Sequence, residues 1–297
     1  MRVFGLGLSA ALVMAPALTT AQPTGDGPLS FQAQGGYLHQ FETDVDGGGN
    51  VAVDRAFAQV GGRYTFDPRT SVGLALGYRF DSFDFGGGGT FAGARPWSDV
   101  QELRLSAPIR FGVSERVDGF VTPQLAWSAE TGAGFGDAVT GGALLGATYA
   151  FHDRLRLGAG LGVLSQIEDD VQVFPLLLID WRIADAVSLT TNPGLGLTRG
   201  PTLSLNWQAR DELTLATGFG YEKYRFRTDD GGGVGQERGL PIFVSATYEP
   251  FPQVTASLFG GVQTAGELRL EDSSGNLVAK EDYDTTGFVG AALRVRF

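Results

Sequence analysis

Cysteine is absent from the 297 residues. Disulfides, thiolate metal centres, cysteine nucleophiles and a lipid-modified N-terminal cysteine on the mature chain are therefore excluded together. Long apolar runs are missing too: nothing approaches the roughly 20 apolar residues that a helical membrane span requires. Any passage through a bilayer must be made by strands. Histidine occurs only at His39 and His152, which leaves little for imidazole catalysis. Basic charge is outnumbered, 22 Lys and Arg against 33 Asp and Glu, for a net charge of −11. A surface of that sign does not neutralise phosphates, so nucleic acid is excluded as a partner. Glycine, at 45 residues, and aromatics, at 11%, are abundant and suit short strands, tight turns and interfacial aromatic belts.

The chain begins with Arg2, an apolar run from Val3 to Ala15, then Pro16 and the small residues Thr19, Thr20 and Ala21. Residues 1–21 read as a secretory signal peptide, leaving 22–297 as one domain. A signal peptide and the lack of cysteine are compatible with an oxidising compartment.

From residue 29 onward the hydrophobic period is two. In 102–113, Leu103, Leu105, Ala107, Ile109, Phe111 and Val113 alternate with Glu102, Arg104, Ser106, Pro108, Arg110 and Gly112. The same alternation predicts strands at 29–42, 54–66, 73–81, 102–113, 119–130, 139–151, 155–167, 171–183, 187–192, 202–210, 213–226, 240–249, 254–264 and 283–297. That is about fourteen. Asn192-Pro193-Gly194 and Arg199-Gly200-Pro201 interrupt the ninth, and if 187–201 is a loop the count falls to about twelve by the even-number rule of such barrels. Pro108, Pro123, Pro175 and Pro241 fall inside strands and mark bulges or bends, because each lacks a ladder donor.

The connections alternate in length. Short ones fall at 67–70, 114–118, 152–154, 184–186, 211–212 and 250–253. Longer ones, rich in glycine and acid, are expected at 43–53, 84–98, 131–138, 229–239 and 265–282. Short periplasmic turns and long extracellular loops are the signature of a transmembrane barrel, with both ends periplasmic when the strand number is even. The terminal strand fits: Val289, Ala291, Leu293, Val295 and Phe297 line one face, and Phe288, Gly290, Ala292, Arg294 and Arg296 the other.

An alternating final strand that stops on an aromatic residue resembles the closing strand of Gram-negative outer-membrane β-barrels. The resemblance implies an all-β, antiparallel up-and-down barrel in the outer membrane. It also implies that Val289, Leu293, Val295 and Phe297 form the signal read by the barrel-assembly machinery. Size, the stretch Asn192 to Leu197 and the approach Asp282-Tyr283-Asp284 are similar to barrel families of unassigned function.

Arg63, Arg104, Arg110, Arg156, Arg182, Arg210, Arg294 and Arg296, with Asp180, fall in the inward phase, most of them near the periplasmic turns. Acids such as Asp44, Asp84, Asp137, Asp229 and Glu271 gather in the outer loops. A passive pore for small hydrophilic solutes or ions is expected, with a basic throat beneath an acidic mouth. Two alternatives stand beside it. The arginines pair with Asp81, Glu102, Asp180 and Glu249 and close the lumen, or the barrel is structural or adhesive and works through its acidic loops. No nucleophile motif surrounds His39, Ser82 or Ser165, so no enzyme and no cofactor are expected. Asp44, Asp46 and Asn50, and Asp272 to Asn276, offer oxygen ligands without the spacing of a calcium loop, so no metal site is assigned.

Overall fold

The computed structural model describes residues 28–134, 136–192, 200–229 and 232–297. The expected signal peptide lies outside them, as do 193–199 and Asp230. Seventeen strand segments follow one another: β1 (Leu29–Asp44), β2 (Asn50–Asp67), β3 (Thr70–Gly86), β4 (Asp99–Ser106), β5 (Ile109–Ser114), β6 (Val117–Glu130), β7 (Val139–His152), β8 (Leu155–Gln166), β9 (Asp169–Ala184), β10 (Val187–Asn192), β11 (Thr202–Arg210), β12 (Leu213–Gly220), β13 (Glu222–Arg227), β14 (Val234–Phe251), β15 (Val254–Glu271), β16 (Leu277–Tyr283) and β17 (Thr286–Arg296). Three pairs, β4 with β5, β12 with β13 and β16 with β17, are single staves broken once, so the wall has fourteen staves. Each is antiparallel to the next, and β17 returns to β1 in a register running from Gln32↔Arg296 to Gln40↔Phe288. The sheet has no edge left within the membrane, as a backbone immersed in hydrocarbon requires.

The outer face follows the period of two. Val72, Leu74, Leu76 and Tyr78 of β3 are exposed on one side while the intervening residues face the lumen. Tyr64, Phe66, Tyr149, Phe151, Trp181, Trp207, Tyr248 and Phe251 are exposed at the periplasmic ends of their strands, where amphipathic rings settle at the interface. At the other end one outward row turns polar. His39, Asp54, Ser82 and Asp99 are successive cross-strand partners on β1 to β4. That row marks the outer headgroup level; the strands continue beyond it.

The inner wall is built of rings laid on glycine. Leu38, Phe57, Phe243, Phe259 and Phe288 form one buried cluster on β1, β2, β14, β15 and β17. A Cβ at Gly36 would come within 2.6 Å of the Phe57 ring, and one at Gly290 within 2.5 Å of Phe259. Any larger residue would push those rings into the lumen. Phe120, Leu144, Phe174 and Leu176 make a second cluster on β6, β7 and β9.

Two expectations need correction. The strand predicted over 102–113 is interrupted at Ala107 and Pro108, because proline cannot donate to the ladder; Ala107 N–H bonds Pro123 O and Gly73 N–H bonds Pro108 O across the break. The long outer loops at 43–53, 229–239 and 265–282 are largely strand. β1 and β2 run up to a tight turn in which Gly48 and Gly49 take positive φ, a conformation glycine adopts without strain. β13 to β16 continue the wall outward.

That continuation does not rise straight. Five adjacent staves are interrupted at one level: at Tyr221 between β12 and β13, at Gly239 in β14, at Ala265 (φ 51°) in β15, at Asp284 and Thr285 between β16 and β17, and between Gln40 and Thr43 in β1. A bulge bends its strand. Aligned across neighbours, these interruptions form a crease along which β13–β16 folds over the mouth. β13 lies in the eleventh stave, yet Arg227 pairs in parallel with Ala129 of β6, in the fifth. The flap therefore crosses almost the full width of the barrel.

Candidate functional site

The periplasmic half of the lumen carries the arginines. Arg294 and Arg296 on β17, Arg63 on β2, Arg110 on β5 and Arg156 on β8 point inward by strand phase and form half a ring. Arg294 Nε donates to Gln34 Oε1 at 3.0 Å. Three acids lie among them: Asp118 takes Arg156 Nη1 at 3.6 Å and Arg69 Nη2 from the turn at 2.7 Å, Asp180 is the strand partner of Arg156, and Glu249 on β14 faces Arg294 electrostatically. Among the described residues Arg63, Arg110 and Arg296 have no ion-pair partner. The opposite half carries hydroxyl and amide groups, Ser188 and Thr190 on β10, Ser204, Asn206 and Gln208 on β11 and Thr247 on β14, with Asp180, Arg182, Arg210 and Glu249 in the same phase towards the periplasmic end.

Three of the sequence-derived lining residues sit differently from the rest. Arg182, Arg210 and Asp180 are exposed; Asp180 stands level with Arg156 and Thr190 as the strand partner of both, but Arg156 turns to Asp118. Arg104 lies higher, with Nη2 2.9 Å from Glu102 Oε1, so here the pairing alternative holds.

Exposure along β11 shows which end is open. Thr202 and Ser204 are buried, Asn206 is intermediate, and Gln208 and Arg210 are exposed. The lumen face of β11 is open to solvent at its periplasmic end, and solvent is excluded from it towards the outside.

What excludes it is the flap. Tyr224, Phe226, Leu268 and Tyr283 on its inner face pack with Val51, Val53, Phe83, Phe85, Phe91, Trp97 and Val100 of the β2–β4 side. Trp97 is the hub, with its ring 5.3–5.8 Å from those of Phe83, Phe85, Phe91 and Phe226. Beneath this dry contact Arg55 of β2, 3% exposed, reaches Glu237 of β14 at 2.6 Å, Glu222 of β13 at 3.2 Å and Asp81 of β3 at 3.9 Å. The flap's other face is charged. Arg225 binds Glu271 at 2.7 Å and Ile167 O at 2.8 Å, and Arg227 binds Glu168 at 2.7 Å and Asp137 O at 2.8 Å.

Arg55 is legible as an inward residue from the alternation of β2. Its role is not, because Glu237 falls in the glycine- and acid-rich stretch 229–239 expected as a loop, and the strand expected over 213–226 does not show that its end, with Glu222, turns over the mouth. The acidic mouth is correspondingly divided. Asp44, Asp84, Asp137 and Asp229 are exposed, whereas Glu222, Glu237, Glu267 and Glu271 are buried against arginine or lysine.

On the outer face His39 Nδ1 lies 2.7 Å from Asp54 Oδ1, and Tyr37 OH donates to the same carboxylate. Ser82 Oγ donates to Asp99 at 2.7 Å, one strand further away, so serine and histidine are not paired for nucleophilic chemistry. Among the described residues no cluster of three His, Asp or Glu side chains is placed to hold a metal. The Asp272 carboxylate accepts bonds from the Asn276 side chain and from the Asn276 and Ser274 amides; these hold it below the usual carboxylate range and close the turn on itself.

No family model matches the chain, and no curated protein matches it. Solved structures do. The COG4313 outer membrane channel of Pseudomonas putida F1 is similar over 100% of both chains, with a TM-score of 0.50 at 11% identity. A FadL homologue of Pseudomonas aeruginosa covers 96% of this chain and 99% of its own, with a TM-score of 0.49 at 12% identity. The fold is that of a Gram-negative outer-membrane β-barrel. In this barrel a closed fourteen-stave wall, an outward apolar band and a charged interior fall in the order that a lipid exterior and an aqueous interior demand. The candidate site of the barrel is its lumen, basic below, aromatic at mid-height and capped above.

Proposed function

We propose that this outer-membrane barrel is a passive channel for small hydrophilic solutes or ions, with a periplasmic throat that favours anions. The half-ring of Arg63, Arg110, Arg156, Arg294 and Arg296 supports the proposal, because these five cations outnumber the acids Asp118, Asp180 and Glu249 around them. Rings of one charge sign select permeant ions by field and by direct contact. The increasing exposure from Thr202 to Arg210 supports a water-filled lower lumen.

A closed structural barrel is the second reading, favoured by the cap and by the paired Arg55 and Arg104. Conductance in planar bilayers separates the two. The channel reading expects current with an anion-biased reversal potential, and the bias should fall by half or more in the Arg294→Gln, Arg296→Gln double variant. Silence from protein shown to be folded by its heat-modifiable gel mobility would favour the closed barrel.

A further inference from the structure

We propose that the flap β13–β16 is a gate hinged on the crease, and that Arg55 holds it shut. The proposal rests on the channel reading for its purpose and on the flap's own geometry for its existence.

The crease supplies the hinge. At Tyr221, Gly239, Ala265 and Asp284–Thr285 the ladder is already interrupted, so bending there breaks few backbone bonds. Within the flap the pairings β13–β14, β14–β15 and β15–β16 are intact, so it can move as one body. One edge stays attached: Tyr283 pairs with Val45, and Asp46 N–H bonds Asp282 O. The other edge, β13, meets the far wall through the single bridge Arg227↔Ala129 and through side chains. Bending at the crease, with the β16 edge held, would lift β13 away from β6 and open the mouth.

Arg55 joins the moving part to the fixed one. It stands on β2, below the crease, and its guanidinium holds one carboxylate from each of two flap strands, Glu222 and Glu237. Removing one partner of a buried charge cluster is far costlier than removing an exposed pair, because the remaining charges keep their desolvation cost. The closed position would lose most, and the population would shift towards the open one. The aromatic contact around Trp97 still favours the closed position when Arg55 is removed, so Arg55 sets the balance and does not build the fold.

The test reads accessibility and does not depend on current. Val53 lies beneath the flap at 1% exposure, and Leu144 is buried in the β6–β9 cluster at 0%. In a chain without native cysteine, Val53→Cys and Leu144→Cys each provide a single reporter for a membrane-impermeant maleimide in proteoliposomes. Adding Arg55→Met should speed labelling of Val53→Cys on the order of tenfold or more and leave Leu144→Cys slow; Arg55→Lys should restore much of the protection. An unchanged rate at Val53→Cys overturns the gate. Acceleration at both reporters also overturns it, since the whole barrel would have loosened. If Val53→Cys accelerates alone while bilayers carrying the Arg55→Met protein remain silent, the gate stands and the channel reading falls.

Discussion

Leu105 and Arg104 are neighbours in sequence and lie on opposite sides of the wall. Leu105 is exposed, flanked across β3 and β6 by Leu76 and Leu125, which are exposed as well; Arg104 bonds Glu102 inside. Arginine at position 105 places a charge in the lipid band at a cost of about 2–4 kcal/mol. Arg104 is the more exposed partner, 20% against 7% for Glu102, and Glu102 keeps Arg79 as its cross-strand neighbour, so Arg104→Ala should cost less, roughly 1 kcal/mol. Reversible unfolding titrations of the two variants in lipid vesicles should therefore rank Leu105→Arg as clearly the more damaging. Equal losses would mean that inner and outer faces are exchanged. Which face each residue occupies is legible in the sequence here, since a strict period of two assigns it. Whether a lumen arginine finds a partner is not, since Arg104 and Arg63 follow the same phase and only the three-dimensional neighbours separate them.

At the scale of elements, fourteen staves are legible because each short turn separates two alternating runs; Pro108 and Pro241 fall at or beside breaks in the ladder, whereas Pro123 and Pro175 lie in runs whose register with the neighbouring strands β7 and β8 is continuous. The flap is not legible. In 222–227 Glu222, Tyr224 and Phe226 alternate with Lys223, Arg225 and Arg227, but neither set matches a lipid face, so the period carries no membrane signal. The glycines of the neighbouring stretches form bulges and tight turns here. The terminal strand joins both kinds of information. Phe297 exchanges two backbone bonds with Phe31 (2.9 and 3.2 Å) and leaves its ring 69% exposed. Phe297→Ser keeps both bonds, so purified protein should refold and melt within a few degrees of the parent. If the outward set Val289, Leu293, Val295 and Phe297 is the assembly signal proposed for it, the level of the variant in the outer membrane should nonetheless fall several-fold. Wild-type levels, read by membrane fractionation, would remove that role.

For the whole molecule the decisive asymmetry is of charge along the barrel axis. A net charge of −11 belongs mainly to the exterior and outer rim, at Asp44, Asp84, Asp137 and Asp229, while Arg63, Arg110, Arg156, Arg294 and Arg296 fall in the inward phase of the periplasmic half. An ion entering from the periplasm meets the positive half first, and one entering from outside meets the acids and the flap. In the proposed channel, selectivity must then depend on screening, because the arginine field reaches across the lumen only when the Debye length is comparable with its radius. That length is about 10 Å at 0.1 M salt and about 3 Å at 1 M. Reversal potentials under a fixed salt ratio should show a clear anion preference near 0.1 M that shrinks towards neutrality near 1 M, and current at low salt should rectify with the sign of the voltage. A preference that persists unchanged at 1 M would instead require direct coordination of the anion by Arg294 or Arg63. Selectivity for cations at low salt would mean that the outer acids control passage and the throat does not.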